Sequence, residues 1–364
     1  SNMQWVVNNV TNAEVEKKNA NYSQIRTLNI PRRMELSPKD TISTTWLACS
    51  PETVGRFSGV AYFFARKVYE ETNIPIGIIN SSWGGTIVET WTSLEAANTL
   101  PQKRLDRYNK NEKLSPPTEY FTRTNKEAKR NDYPSLVYNA MIHPLLSFAI
   151  KGVVWYQGEN NVGNAEPYTD WLTCMISDWR NRWNSELPFY IIQLPNFDST
   201  NKTPLWAEIR DAQRKVLTVP KTHLIVTSDL GDPHDLHPRN KQEVGMRVAL
   251  QVLHHEYGRP DIVSESPMFE RMEINGDKII ITFKNTGSGL EIRSRYGCLQ
   301  GFTIAGEDKK FYWAQGELKD NRIVIWNPKV PNPIAVRYNW ENNPDGNLYN
   351  KDGLPACLFR TDNW

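Results

Sequence analysis

Short apolar runs that alternate with amphipathic stretches constrain the fold of this chain more than any other feature. The runs are Pro75–Asn80, Val153–Tyr156, Pro188–Leu194 and Leu224–Val226. Continuous apolar runs of this kind are typical of strands that are buried on both faces of a parallel sheet. Because helical stretches separate them, we predict an α/β protein, with a three-layer, flavodoxin-like parallel sheet that carries helices on both faces.

The stretches between the runs show the spacing of apolar residues that a helix requires. In the clearest case, Phe57, Val60, Phe64 and Val68 recur on one helical face behind a proline. The helices predicted in this way are Pro51–Thr72, Ile87–Ala97, Tyr133–Ile150, Tyr168–Trp183, Ala207–Leu217 and Arg239–Leu250.

The pattern changes near residue 262, after which short β-type runs are separated by Gly, Asn and Pro. This predicts two domains, an α/β domain over residues 1–261 and a β-rich segment over residues 262–364. Within the first domain, residues 101–132 are charged and contain a Pro-Pro pair, so we expect a surface insertion there.

Polar clusters follow three of the predicted strands where each strand ends. Gly84 and Gly85 come after the first run, Gln157–Asn161 after the second, and Asp232–His237 after the last. Right-handed crossovers place the carboxyl ends of parallel strands at one edge of a sheet. We therefore expect the three clusters to meet there, where α/β proteins commonly place functional residues.

Composition excludes several classes of function. The formal net charge is +2, and the one basic block, Lys126–Arg130, contains Glu127, which argues against a nucleic-acid surface. No apolar segment is long enough to span a bilayer, and no signal peptide is visible. The four cysteines are scattered and lack CxxC spacing, which argues against a metal cluster. Thirteen tryptophans and fifteen tyrosines fit either a large core or contacts with sugar rings.

The residues alone leave the chemistry of these clusters open. His237, with Asp235 and Asp232 just before it, can be a general base beside carboxylates or part of a solvated acidic turn. Gly84 and Gly85 can form an ordinary turn or present backbone N–H groups to an oxyanion. Ser1 can be a vector residue, a solvated terminus or a nucleophile.

Several blocks of the sequence, in order, resemble the sialate O-acetylesterase family, the carbohydrate-esterase branch of the SGNH hydrolases. The resemblance covers nearly the whole chain, including the C-terminal Ala335–Trp364. Its blocks are SNMQW at Ser1–Trp5, SSWGGTIVETW at Ser81–Trp91, YNAMIHPL at Tyr138–Leu145, WYQGENN at Trp155–Asn161 and DLGDPHDLHPRNKQEVG at Asp229–Gly245.

The resemblance implies a catalytic role for residues in three of these blocks. Ser1 matches the nucleophile and His237 the base. Glu159 is slightly favoured as the acid of the triad, because relatives take it from the Gln-Gly-Glu block. Asp235 remains beside it, since an acid just before the histidine is the general SGNH habit, and Asp232 ranks third.

The same resemblance implies an oxyanion hole and a type of substrate. Backbone N–H groups of Gly84 or Gly85, the Ser1 N–H and the Gln157 side chain would bind the oxyanion. The substrate would be an acetylated carbohydrate, O-acetylated sialic acid above all, and the mechanism needs no metal and no cofactor. Because such glycans lie outside the cytoplasm, we expect a secreted or periplasmic protein; the oligomeric state cannot be read from the sequence.

The start of the chain departs from the family pattern. In the family, the nucleophile follows a Gly-Gln pair at the end of the first sheet strand, and a β-domain lies upstream. We therefore expect either a fragment or trimmed chain or a fold with a gap in the middle of its sheet, and in both cases activity that depends on upstream sequence. The alternative is that Ser1 and Asn2 are vector residues that match the block by chance.

Three other functions compete with the esterase. A glycoside hydrolase could use Glu159 and Asp235 as paired carboxylates, but it leaves Ser1 and His237 without roles. A non-catalytic carbohydrate-binding protein fits the aromatic content. An N-terminal-nucleophile amidase would activate Ser1 with its own amine, but the α/β strand pattern disfavours that class.

Overall fold

The computed structural model describes residues 2–117, 133–198, 203 and 205–364. Ser1, the Lys126–Arg130 block and residues 118–132 of the predicted insertion lie outside this set. The α-helices of the described part are α1 Ala13–Asn19, α2 Gly59–Thr72, α3 Leu94–Ala97, α4 Gln102–Leu105, α5 Leu136–Met141, α6 Ala165–Trp183, α7 Leu205–Lys215 and α8 Lys241–Glu256.

Strands fall into an N-terminal and a C-terminal group. The N-terminal strands are β1 Ile25–Asn29, β2 Trp46–Ala48, β3 Ile76–Asn80, β4 Val153–Trp155, β5 Phe189–Ile192 and β6 Thr222–Ile225. The C-terminal strands are β7 Met268–Asn275, β8 Lys278–Lys284, β9 Leu290–Ile292, β10 Phe302–Ala305, β11 Phe311–Trp313, β12 Gln315–Lys319, β13 Arg322–Trp326, β14 Ala335–Tyr338, β15 Leu348–Asn350 and β16 Phe359–Arg360.

The N-terminal strands form two three-stranded sheets, ordered β2-β1-β3 and β4-β5-β6. β1 runs parallel to β3, with Ile25 opposite Ile76, and β4 runs parallel to β5, with Val153 opposite Phe189. β2 pairs antiparallel with β1. The prediction of parallel strands alternating with helices is therefore confirmed, with an antiparallel strand at one edge.

Two compact units divide the described residues. One comprises the chain up to Ile192, together with Ala212–His223 and His237–Ala249. Its β1-side core contains Val7, Ile25, Phe57, Tyr62 and Ile78. The first half of α8 lies against α2, since a Cβ on Gly245 would come within 2.7 Å of the Val60 carbonyl oxygen. Only glycine allows this approach, which places the residues around the start of α8 beside the N-terminal segment.

The other unit comprises Gln193–Asp211, Leu224–Leu236 and Leu250–Trp364. Its β-rich part has sheets ordered β11-β10-β14-β16 and β12-β13-β8-β7, and β9 pairs with β15. Side chains such as Ile281, Phe302 and Tyr338 fill its core. The predicted all-β segment is confirmed, and β15 and β16 lie near its C-terminal end.

Three predicted helices are shorter than expected. The helix predicted over Pro51–Thr72 begins at Gly59, where the Ser58 side chain accepts a hydrogen bond from the Ala61 N–H. The helix predicted over Tyr133–Ile150 ends at Met141, because Pro144 cannot continue the hydrogen-bond ladder. Val88–Trp91 forms a 3-10 turn where part of a third helix was predicted.

Among the described residues, no helix combines the length and the apolar character that a bilayer crossing demands.

Candidate active site

The segment that follows Ser1 contacts the loops after β3 and β4. Asn2 is fully buried, and its Nδ2 donates a 2.6 Å hydrogen bond to Oε1 of Glu159, in the loop after β4. Gln4 Oε1 accepts a 3.1 Å hydrogen bond from the backbone N–H of Gly84, in the loop after β3. Two of the three polar clusters therefore meet the same short N-terminal segment.

The start of α2 holds this segment in place. Ser58 Oγ donates to the Met3 carbonyl oxygen over 2.6 Å, and the Gly59 N–H donates to the Trp5 carbonyl oxygen over 2.7 Å. These bonds give the two carbonyl oxygens hydrogen-bond partners within the protein. The N-terminal residues are thus an ordered part of the fold from Asn2 onward.

His237 lies on the face of Trp5. Their ring centroids are 5.1 Å apart and the planes differ by 7°. The Trp5 indole is fixed in turn, since its Nε1 donates to the Asn9 carbonyl oxygen over 3.0 Å. Stacking on the indole restricts the plane of the imidazole. The sequence had singled out His237 but not Trp5, whose place in the SNMQW block was the available signal.

The acidic loop before His237 is held by its own polar groups. Asp232 and Asp235 form an isolated antiparallel bridge, and Asp232 Oδ1 accepts a 2.8 Å hydrogen bond from the His234 N–H. The Gly231 N–H donates to Asn196 Oδ1, and a Cβ at Gly231 would meet the Asn196 carbonyl oxygen at 2.1 Å. Asp232 therefore helps to shape the loop.

The glycine pair after β3 differs in what its N–H groups contact. The Gly84 N–H already donates to Gln4. Gly85 has φ +77°, a conformation that glycine favours, and open space where a Cβ would lie. Within the described part of the chain, the Gly85 N–H reaches no hydrogen-bond acceptor, whereas its carbonyl oxygen accepts from Asn160 Nδ2 over 2.8 Å. Of the two predicted oxyanion donors, Gly85 is the accessible one.

Gln157, the predicted side-chain donor, is buried and engaged. Its Nε2 donates to the Thr86 carbonyl oxygen over 3.0 Å and to Asn161 Oδ1 over 2.7 Å, while Oε1 accepts from Tyr168 over 3.2 Å. A primary amide has two N–H donors, and both point at protein acceptors here. Donation to an oxyanion would require Gln157 to exchange one of these bonds.

A buried polar network supports Gln157, and sequence reasoning missed it. Asn161 is fully buried; its Oδ1 also accepts from the Val88 N–H, and its Nδ2 donates to Oε2 of Glu89 over 2.9 Å. Glu89 is itself buried. The signal was a lone carboxylate inside the apolar run IVETW, where an unpaired charge would be costly.

We expect Glu89→Gln to reduce the loss of stability on raising the pH. Burial raises the pKa of Glu89 above its usual 4.5, and the Asn161 hydrogen bond offsets part of that rise. An acid whose folded pKa exceeds its unfolded pKa stabilises fully below the unfolded value, and that stability is lost as pH rises through the folded value. Glutamine keeps the acceptor for Asn161 without titrating.

Melting temperatures at about pH 5 and about pH 8 measure this effect, which amounts to about 1.4 kcal/mol for each unit between the two pKa values. Glu307→Gln, at an exposed glutamate, is the matched control and should behave as wild type. An equal fall of melting temperature with pH in wild type and Glu89→Gln would contradict the expectation.

Comparison with known proteins gives consistent matches. The sequence profile of a family described as carbohydrate esterase, sialic acid-specific acetylesterase, matches residues 1–254. The sialate O-acetylesterase of Homo sapiens is 31% identical over an alignment 310 residues long, which covers 76% of this chain and 56% of that protein. The Mus musculus protein is 27% identical over a gapped alignment 390 residues long, which covers 94% of this chain and 71% of that protein.

A solved structure, that of a carbohydrate acetylesterase from Xanthomonas citri, superposes with a TM-score of 0.89 at 36% identity. The match covers 100% of this chain and 79% of that one. The chain spans little more than half the length of the sialate O-acetylesterases of Pongo abelii and Rattus norvegicus, at 56% and 58%.

Proposed function

Because the chain belongs to the carbohydrate esterase family of sialic acid-specific acetylesterases, we propose that it is a serine esterase that removes O-acetyl groups from carbohydrates. O-acetylated sialic acids are the substrates we favour. The observation that carries the proposal is the contact of one N-terminal segment with three parts of the site: Trp5 with His237, Asn2 with Glu159, and Gln4 with Gly84.

The reaction would proceed through an acetyl-enzyme. The Ser1 oxygen bonds to the acetyl carbonyl carbon while His237 takes the hydroxyl proton. The bond from that carbon to the sugar oxygen then breaks, and His237 returns the proton to the sugar hydroxyl. Water, deprotonated by His237, attacks the acetyl-enzyme; acetate leaves and Ser1 regains its proton.

The negative charge that develops on the former carbonyl oxygen must be stabilised by hydrogen-bond donors. The N–H of Gly85 is accessible, while that of Gly84 is held by Gln4. Gln157 and the Ser1 N–H complete the proposed set. One such donor typically contributes about 3 kcal/mol to the transition state. Gln157 would contribute after giving up a bond to Thr86 or Asn161.

Glu159 remains the favoured acid of the triad and Asp235 the alternative. Glu159 accepts from Asn2 through one oxygen, and a carboxylate can accept further hydrogen bonds. Asp235 lies two residues before His237 in an ordered loop. Comparing kcat of Glu159→Gln with that of Asp235→Asn distinguishes them, since the triad acid fixes the imidazole tautomer. Asp232, whose carboxylate caps its own loop, ranks third.

Acetate release from O-acetylated sialic acid and from an aryl acetate tests the function. We expect turnover of both by the wild type, and a fall of about 10⁴-fold or more in kcat for Ser1→Ala, which removes the nucleophile. Full activity of Ser1→Ala, or sugar binding without acetate release, would contradict the proposal. Turnover of acetylated xylan in preference to sialic acid would revise the substrate alone.

Three further points belong to this proposal. The fold would be the three-layer arrangement of SGNH hydrolases, which the superposition on the Xanthomonas citri enzyme supports. Residues 1–261 would form the hydrolase domain, with 101–132 as an insertion, and 262–364 a β-rich domain; the family match over 1–254 supports that boundary. The protein would act outside the cytoplasm, secreted or periplasmic, where glycan substrates lie.

A further inference from the structure

Lys241 is a buried cation next to the segment that carries the proposed nucleophile. It is the first residue of α8, four residues after His237, and its side chain is fully buried. Its Nζ donates a 2.5 Å hydrogen bond to Oδ1 of Asn2 and lies 5.6 Å from the centroid of the Tyr156 ring. Neither Lys241 nor Asn2 belongs to the proposed triad or to the proposed oxyanion hole.

The amide of Asn2 joins Lys241 to Glu159. Its oxygen accepts from the ammonium, and its nitrogen donates to the carboxylate over 2.6 Å. The reverse orientation would set N–H groups against the ammonium and an oxygen against the carboxylate, so the charges fix the amide in one orientation. Such a row of donors and acceptors strengthens each bond in it.

A buried ammonium is expensive to desolvate, and a fold that retains one gains a fixed geometry from its partners. Lys241 has little freedom to move, because a Cβ on Gly59 would approach its Cβ at 3.2 Å, at the start of α2. Asn2 is bonded directly to Ser1, so whatever holds Asn2 also limits where Ser1 can lie. Tyr156, under the ammonium, directly precedes Gln157.

We infer that Lys241 is a positioning residue for the nucleophile, acting through Asn2. The inference rests on the proposed function. In the proposed arrangement, the segment that leads into α8 supplies the base, His237, and the first residue of α8 holds the peptide that presents Ser1 to that base. Lys241 does not touch substrate; it sets the distance and angle at which Ser1 attacks.

Lys241→Met tests the inference, because methionine fills a similar volume without the charge. A cooperative melting transition first shows that the variant is folded. We then expect kcat for an aryl acetate to fall by about 100-fold while KM changes by less than about threefold, because misplacing a reacting group slows attack more than it weakens binding. Labelling of Ser1 by a fluorophosphonate should slow by a similar factor. Lys278→Met is the control: Lys278 Nζ lies 4.8 Å from the Trp326 ring centroid, and both residues belong to the other compact unit.

Asn2→Ala provides the second variant if Lys241→Met does not fold. The Asn2→Ala single variant should show a selective fall in kcat at least as large, since it also removes the hydrogen bond to Glu159. Where both singles fold, adding Lys241→Met to Asn2→Ala should lower kcat little further, because the Lys241–Asn2 hydrogen bond is already lost. Wild-type kcat in a folded Lys241→Met or Asn2→Ala protein, or independent, multiplying losses, overturns the inference. A wild type without esterase activity would instead defeat the proposed function.

Discussion

Replacing His237 by alanine is expected to lower kcat for acetate ester hydrolysis by about 10⁴-fold, because no other group would deprotonate the serine hydroxyl. The effect should fall on kcat and on kcat/KM together, since the base acts in the transition state. His237 is half-buried and lies on Trp5, so its removal should leave the protein folded. Initial rates with an aryl acetate, measured beside a melting curve, check both parts.

His234→Ala is the matched control for that experiment. His234 lies in the same acidic loop but is exposed, and its contribution to the loop is a backbone N–H that alanine retains. Its kcat should stay within about twofold of wild type, as for a surface substitution. If His234→Ala lost activity and His237→Ala kept it, the base would be His234, and the assignment of His237 would be wrong.

The second large effect is expected on stability, from Asn161→Leu. Leucine has a similar size but leaves the Val88 N–H, the Gln157 Nε2 and the Glu89 carboxyl each short of a partner. Each unsatisfied buried group costs about 1–3 kcal/mol, so the free energy of unfolding should fall by about 4 kcal/mol. Denaturant titration measures it. Activity should fall as well, because Asn161 holds the loop that carries Gln157 and Glu159.

Asn160→Ala separates this network from its surroundings. Asn160 is the exposed neighbour of Asn161 and makes a 2.8 Å hydrogen bond to the Gly85 carbonyl oxygen. Its loss should cost less than about 1 kcal/mol. If Asn160→Ala and Asn161→Leu destabilise equally, the buried network does not have the structural importance described above.

Strand positions could be predicted from the sequence because a strand that is buried on both faces consists mainly of apolar residues. β5 is buried at every position, and its apolar run was correspondingly plain. β3, β4 and β6 are less completely buried than β5, yet each was found within two residues of its predicted bounds. From strand order alone it also followed that the loops after β3 and β4 would meet, and contacts through Asn2 and Gln4 confirm this.

Elements with mixed exposure were harder to predict. α1 has no buried residue, and its Val15 is 59% exposed, so no apolar stripe marks it. Strands β7 and β12 are similarly exposed along most of their length. The end of the helix before Pro144 could be predicted only by giving the proline, which has no backbone N–H, more weight than the apolar spacing that continues past it.

The supporting residues of the site could not be found from spacing, since they act through tertiary contacts. Lys241 and Asn2 are 239 positions apart in sequence and meet only after folding. Glu89 and Asn161 are separated by 72 positions. A polar residue in an apolar context signals that a partner exists, but the identity of the partner depends on the fold. The roles of Ser1, His237, Glu159, Asp235, Gly85 and Gln157 remain predictions.

Covalent trapping addresses the nucleophile most directly. Incubation with a fluorophosphonate, followed by proteolysis and mass spectrometry, should place a single adduct on the N-terminal peptide at Ser1, and His237→Ala should abolish it. An adduct on a different serine in active protein, or full hydrolysis of acetate esters with Ser1 unmodified by the reagent, would contradict the assignment of Ser1 as nucleophile.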